Sequence, residues 1–448
     1  MKKNLFLLSL FICLNHFSFS QGIFSVQNEK HSTKIKFKLI HNLIILPVEI
    51  NGVTLSFLLD TGVSKPIIFN FLNVSDTLRI KNTEKIFLRG LGEGNSVETL
   101  KSQNNVLRIG DAINLNQDLY AIYDANLNFG PRLGIPVHGI IGYDLLKDLV
   151  VEINYSKTFI KLTENKHYKY RKCNSKCEQL NLEFYRNKPY INCEVEIEGD
   201  QIPVKLLIDS GGSDALWLFE DDLLGIESGD KYFHDFLGHG LSGSVYGKRS
   251  KIESFSLNKF TLKNPNVAFP DSTYTLHARK FKDRNGSLAG NILKRFNLII
   301  DYQRAIIRLK KNSHFKDKFN YNKSGIELAH DGFRFVKEVD NKISNNKTGL
   351  NRDNRVINST RFLIDPNYKI SLIPAFKIVE LKAQSPAQRA GLMNGDIVLK
   401  INNLYTHKFS LQKLMKIFYG DVGKTIRLKV DRDGELLNFE FKLEDLFK

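Results

Sequence analysis

The stretch FLLDTGVSKPIIF (residues 57–69) runs three apolar residues into Asp60, follows it with Thr61 and Gly62, and then turns apolar again. A carboxylate is costly to take out of water, so an aspartate at the end of an apolar run needs a reason. The arrangement returns in LLIDSGGSDALWLF (residues 206–219), with Asp209, Ser210 and Gly211 in the same places. Alone, either triplet reads as a turn aspartate holding backbone N–H groups. Two copies in matching surroundings ask for a shared purpose.

The surroundings do match. HGIIGYDLLKDLVVEINYSKTFIKL (138–162) follows the first copy and GSLAGNILKRFNLIIDYQRAIIRL (286–309) the second. Each reads as a short apolar run ending in Gly, a short helix, a strand, a turn at Asn154-Tyr155 or Asp301-Tyr302, and a second strand. Asp60 and Gly142 are 82 positions apart, Asp209 and Gly290 81. Between these anchors lie LRGLGEGNSVETL (88–100) and FLGHGLSGSVYGK (236–248), glycine patches flanked by strand formers that predict a hairpin or mobile loop. A repeat of about 150 residues is a duplicated domain. The polar TENKHYKYRKCNSKCEQ (163–179) between the copies reads as a linker.

Two carboxylates brought face to face cannot both ionise easily, so one holds a proton while the other stays charged. A water between them can lose a proton as it attacks an amide carbonyl, and the protonated partner can polarise that carbonyl. Thr61 and Ser210 carry hydroxyls able to lock the two loops, and Gly62 and Gly211 let main-chain N–H groups approach the carboxylates.

On these motifs the two halves resemble retropepsin-type aspartic proteases joined as in the bilobal pepsins. IIGYDLL (140–146) is similar to the retroviral Ile-Ile-Gly signature with its following helix, and LAGNIL (288–293) matches it more loosely. The resemblance implies a mainly β fold of two closed β lobes, at residues 31–165 and 178–312. It makes Asp60 and Asp209 the catalytic dyad, supported by Thr61, Gly62, Ser210 and Gly211. Gly90, Gly92, Gly94, Gly238, Gly240 and Gly243 become glycine-rich flaps over the substrate cleft. Pepsins carry a hydroxyl residue after the triplet glycine; Val63 and Gly212 stand there, as apolar residues do in the retroviral type. A peptide or protein substrate is expected, with no cofactor, and a monomer, because one chain supplies both aspartates.

His138 and His239 lack a nucleophile context such as G-x-S-x-G and read as packing or loop histidines; Trp217 is expected in the core. Cys173, Cys177 and Cys193 allow one disulfide and one free thiol, and they lack the fourth ligand of a zinc site, so no metal is expected. The net charge of +17 invites a nucleic-acid hypothesis, but Lys and Asn are spread along the whole chain and no recognition motif accompanies them; a solvated basic surface accounts for the charge. Lys2 and Lys3, the apolar run 5–14 and Ser18-Phe19-Ser20 form the pattern of a signal peptide over residues 1–20, predicting a periplasmic or extracellular protein. Cys13 lacks the small residue that normally precedes a lipoprotein cysteine. No later stretch approaches the ~18 apolar residues of a membrane span.

After Lys311 come a Lys- and Asn-rich connector, strands around GIELAHDGFRFVKEV (325–339), and a polar stretch (340–360) that reads as a long loop. FKIVELKAQSPAQRAGLMNGDIVLKINN (376–403) then closely resembles the PDZ signature, giving an α+β domain over residues 325–448. Ser385 can cap the short helix with Pro386 in its first turn, and Gly391 can end it. PDZ domains add a peptide strand beside their second strand and hold its carboxylate on loop N–H groups. Ile373, Pro374, Ala375 and Phe376 stand where that loop belongs, and Pro374 has no N–H to offer, which leaves strand addition as the expected mode. The alternatives are a PDZ domain that only braces the protease, and a catalytically silent, peptide-binding protein that keeps the fold.

Overall fold

The computed structural model describes residues 22–69, 78–88, 90, 96–123, 127–339 and 368–447. The signal segment, Gly92, Gly94 and the polar stretch 340–360 lie outside the described residues. The protein is mainly β, and it divides into two compact units, Met1–Tyr321 with Asp445–Lys448, and Asn322–Glu444.

The first unit is built twice over. In the first half, Leu43–Ile50 and Val53–Leu59 form a hairpin whose turn, Asn51-Gly52, has both residues at positive φ, the twist that suits a two-residue hairpin loop. Gly139–Ile141 then lies parallel to the second strand, with Gly139 opposite Phe57 and Ile141 opposite Leu59. In the second half Lys188–Ile197 and Asp200–Asp209 form the hairpin, and Gly286–Ala289 runs parallel, with Leu206 opposite Gly286. Each aspartate thus stands at the tip of an interior strand, beside a parallel strand that leads into a one-turn helix, Tyr143–Leu146 or Gly290–Leu293. Such strands are covered on both faces, which explains their continuous apolar runs.

A third, six-stranded antiparallel sheet joins the halves. Leu149–Asn154 of the first half pairs with Phe296–Asp301 of the second, Val151 opposite Ile300. The ends of the segment read as a linker, Thr163–Glu164 and Cys177–Gln179, belong to strands of this sheet, and residues 168–176 between them are in no strand or helix. Cys177–Asn181 pairs with Ile306–Lys311, Cys173 is bonded to Cys177, and the Tyr170 hydroxyl donates to Asp301 Oδ2 at 2.6 Å, so the connection is tied to the sheet. One hydrophobic core runs through both halves, from Phe57 and Leu59 to Leu206 and Ile208.

At its end the chain returns to this unit. Phe447 lies 5.1 Å from Phe233 and 4.3 Å from Tyr321, ring centre to ring centre.

Among its described residues the second unit has a five-stranded antiparallel sheet with a short sixth strand, and two α-helices. Ser385 caps the helix Pro386–Arg389 by accepting from the Gln388 N–H at 3.3 Å, as its sequence predicts. Asp396 is buried and bound by Arg432 through Nε at 2.6 Å and Nη2 at 2.8 Å. Asp433-Gly434 is the expected hairpin turn.

The expected peptide groove needs correction. Ile373, Pro374, Ala375 and Phe376 form no loop. They sit inside the strand Tyr368–Leu381, paired with Ile326–Val339 so that Phe333 faces Pro374 and His330 faces Phe376. A register shift between His330 and Phe333 lies beside the proline that lacks an N–H. The outer strand of the sheet is Ile326–Val339, and the helix Leu411–Ile417 packs against it. Its open edge, not residues 373–376, is where an added strand can pair.

Candidate active site

Phe57 and Leu59 are fully buried and fix the end of the first aspartate strand. The Asp60 N–H donates to the Ile141 carbonyl at 2.8 Å, tying the turn to the parallel strand. Each triplet then closes on itself: the Gly62 N–H donates to Asp60 Oδ1 at 2.7 Å, and the Gly211 N–H to Asp209 Oδ1 at 3.0 Å.

The two triplets hold each other. The Thr61 hydroxyl donates to the Ile208 carbonyl at 2.5 Å, and the Ser210 hydroxyl to the Leu59 carbonyl at 2.8 Å. The Thr61 N–H donates to Ser210 Oγ at 3.1 Å, and the Ser210 N–H to Thr61 Oγ1 at 3.0 Å. Both hydroxyls are buried, so each is donor and acceptor with no water to replace a lost partner. Glycine is required by contact: a Cβ on Gly211 would lie 2.4 Å from Asp60 Cγ, and one on Gly142 would lie 2.0 Å from the Asp60 carbonyl oxygen. These contacts bring the Asp60 carboxyl up against the loop that carries Asp209.

Burial raises both carboxyl pKa values. Asp60 is pushed up to about 7, by its apolar surroundings first and the Asp209 charge second, against the Gly62 N–H and the Lys188 ammonium. Asp209 is raised by burial, and Arg284, Lys188 and the Gly211 and Gly212 N–H groups pull it down. The arrangement therefore favours one shared proton over two charges.

Sequence reasoning missed three of these neighbours. Lys188 opens the second hairpin, Arg284 precedes the parallel strand, and Tyr302 sits in the turn after Asp301. Arg284 is buried and committed, donating from Nε to the Gly286 carbonyl at 3.0 Å and from Nη2 to Ser287 Oγ at 2.8 Å. The Tyr302 hydroxyl is buried without a hydrogen-bond partner among the described residues; burial, then the Asp60 charge, hold its pKa well above the usual phenol value.

The glycine patches behave as hairpins. Phe233–Gly240 pairs with Gly243–Lys251, closing at Gly240 opposite Gly243, with a register shift at Gly238. In the first half Thr83–Leu88 pairs with Val97–Ile109, and of its tip glycines Gly90 is described. The two patches meet, the Gly90 N–H donating to Ser242 Oγ at 3.0 Å. Leu241, beside it, packs with Leu43, Leu58 and Val63, the apolar wall next to Asp60.

His138 accepts the Ser56 N–H on Nδ1 at 3.2 Å, a packing role. Trp217 is half-buried beneath the second hairpin and donates to Asp214 at 2.7 Å. Away from the cleft, Glu164 lies 3.2 Å from His31 Nδ1 and 3.3 Å from His167 Nδ1, a set of donors suited to a metal ion. The two rings stack at 3.7 Å with planes 4° apart, so no single ion lies in both ring planes.

The family model described as "Aspartyl protease" matches residues 46–145, which span Asp60, the first hairpin and Gly142. That described as "PDZ domain" matches residues 377–432. The chain carries an aspartyl protease domain and a PDZ domain. A search of curated proteins found no match. The protease match covers the first half of the repeat; the second rests on the shared geometry given above.

Proposed function

We propose that this protein is an exported, monomeric aspartic endopeptidase whose PDZ domain receives a peptide strand. One observation carries the reading: Thr61 and Ser210 lock two Asp-[Thr/Ser]-Gly loops together so that two carboxyls with raised pKa values share one site. A water held between them loses its proton to the ionised carboxylate as it attacks the peptide carbonyl. The protonated carboxyl donates to the carbonyl oxygen. The proton taken from water then passes to the leaving nitrogen as the tetrahedral intermediate collapses. The meeting hairpins at Gly90 and Ser242 are suited to covering a bound peptide and excluding bulk water.

Export is supported by the signal pattern and by the Cys173–Cys177 disulfide, a bond that persists in oxidising compartments. Among the described residues no helix is long and apolar enough to cross a membrane. In the PDZ unit the added strand pairs with the open edge of Ile326–Val339, beside the helix Leu411–Ile417. The test is peptide cleavage by the full chain, with and without a hydroxyl-bearing transition-state mimic of the tetrahedral intermediate. Inhibitor-sensitive cleavage supports the enzyme. A folded chain that binds peptides and cleaves none supports the catalytically silent alternative.

A further inference from the structure

The two walls of the cleft are built on one plan and differ in the residue that neighbours each aspartate. In the first half the ladder ends with Ile45 opposite Leu58, and continuing its register by two residues sets Leu43 against Asp60. In the second half the ladder ends with Tyr190 opposite Leu207, and continuing its register by two residues sets Lys188 against Asp209. Residues directly opposite on antiparallel strands point to the same face, so each aspartate has that residue as its lateral neighbour. Leu43 is buried in the apolar wall with Leu58 and Val63. Lys188 is half-buried, and among the described residues it forms no ion pair.

Aromatic rings surround Lys188. Its strand follows the turn Arg186-Asn187, both at positive φ, and the Arg186 carbonyl is reached by the Ser64 hydroxyl of the first half at 3.5 Å. This places Lys188 where the two halves meet. Tyr185 faces Lys188 across the short hairpin and stacks on Phe281 at 4.4 Å, and Tyr190 meets the edge of Phe281 at 4.9 Å. Arg284 lies behind, donating to the Gly286 carbonyl and to Ser287 Oγ. The Lys188 ammonium thus stands beside aromatic rings without an ion-pair partner among the described residues. Burial and Arg284 lower the Lys188 pKa, while Asp60 and Asp209 support the charge. The shared proton leaves the dyad at most one negative charge to set against two cations. A second anion brought in by substrate is thereby favoured.

We propose that Lys188 makes this cleft select peptides with an acidic side chain close to the scissile bond, held by the Lys188 ammonium. This rests on the endopeptidase reading above and names its substrate class. A peptide carboxylate beside Lys188 accepts a charge-assisted hydrogen bond, the strong kind.

The experiment uses the full chain and matched peptides that place Glu or Gln at each position on both sides of one cleavable bond. At pH 6 the best Glu peptide is expected to exceed its Gln partner in kcat/KM by about 10-fold or more, from the ~1.5–3 kcal/mol of a hydrogen bond to a charged group. The preference should fade below about pH 4, where Glu protonates. Lys188→Met should bring the Glu/Gln ratio to about one, and Lys188→Arg should keep it. Gln peptides cleaved by the unaltered chain with no Glu preference at any position would overturn the inference and leave the endopeptidase standing. A ratio unchanged in Lys188→Met would overturn it too. Cleavage of neither peptide set would overturn the endopeptidase reading itself.

Discussion

Thr61 and Ser210 grip each other across the two halves, each main-chain N–H donating to the other's hydroxyl, at 3.1 and 3.0 Å. The same hydroxyls donate onward to the carbonyls of Ile208 and Leu59. This clasp fixes the spacing of Asp60 and Asp209, so it should matter to activity beyond its share of stability. Thr61→Val keeps the shape and leaves the Ser210 N–H and the Ile208 carbonyl unpaired. Each buried orphan costs about 1–3 kcal/mol. Urea unfolding should show that loss, and kcat should fall in the fraction that remains folded. Ser210→Ala on top of it should cost less than it does alone, because the pair acts as a unit. Strict additivity would mean the two hydroxyls work separately.

The raised Asp60 pKa is also a stability statement. Between the ordinary carboxyl pKa near 4 and the folded value of about 7, the folded chain holds a proton that the unfolded chain has released. Stability from this site is therefore greatest below about pH 4 and declines as pH rises to about 7. Asp60→Asn removes the titration. Its melting temperature relative to the unaltered protein should climb from pH 4 to pH 7 by a few degrees. A difference that stays flat with pH would contradict the assigned burial of the carboxyl.

Catalysis needs one proton on the pair, so kcat/KM should be bell-shaped, with an optimum at roughly pH 4–6 and an alkaline limb near 7. Val63 and Gly212 supply no hydroxyl to favour the ionised forms, and burial pushes the values up, while Lys188 and Arg284 restrain them. The measurement uses a peptide without titrating side chains. Full activity sustained at pH 2, or an optimum above 8, would contradict the site's electrostatics.

The buried Asp396 depends on Arg432, which binds both its oxygens. Arg432→Met leaves that carboxylate with the Met393 N–H and an apolar neighbour. Breaking such a pair from one side costs about 3–5 kcal/mol. Calorimetry should show the second unit melting earlier, with the transition of the first unit unmoved. Equal shifts in both transitions would show that the two units do not unfold independently.

Much of this architecture was legible because it is repeated. One Asp-Thr-Gly is weak; a second, followed at matched spacing by glycine, helix and hairpin, specifies two copies of one unit. The clasp was legible as residue types, since Thr61 and Ser210 occupy equivalent places. Lys188 and Arg284 were not, because their importance comes from strand register and chain crossing, which composition does not carry. The segment 163–179 connects the halves as its polarity suggests, but its ties to the shared sheet, the edge strand from Cys177 and the Cys173–Cys177 bond, were not legible in that polarity. Residues 373–376 deceived by their proline, which reads as a loop and instead sits beside a register shift in a long strand.

The central claim is that one proton shared between Asp60 and Asp209 drives peptide hydrolysis. The direct measurement is single-turnover cleavage of a short peptide by Asp209→Asn, its fold checked by circular dichroism and its peptide affinity by titration. An amide can neither share the proton nor take one from water. The expected result is an unchanged fold, retained binding and a rate reduced by about 10³-fold or more, in keeping with loss of general acid–base catalysis. A correctly folded Asp209→Asn that turns over near the rate of the unaltered protein would contradict the shared-proton mechanism.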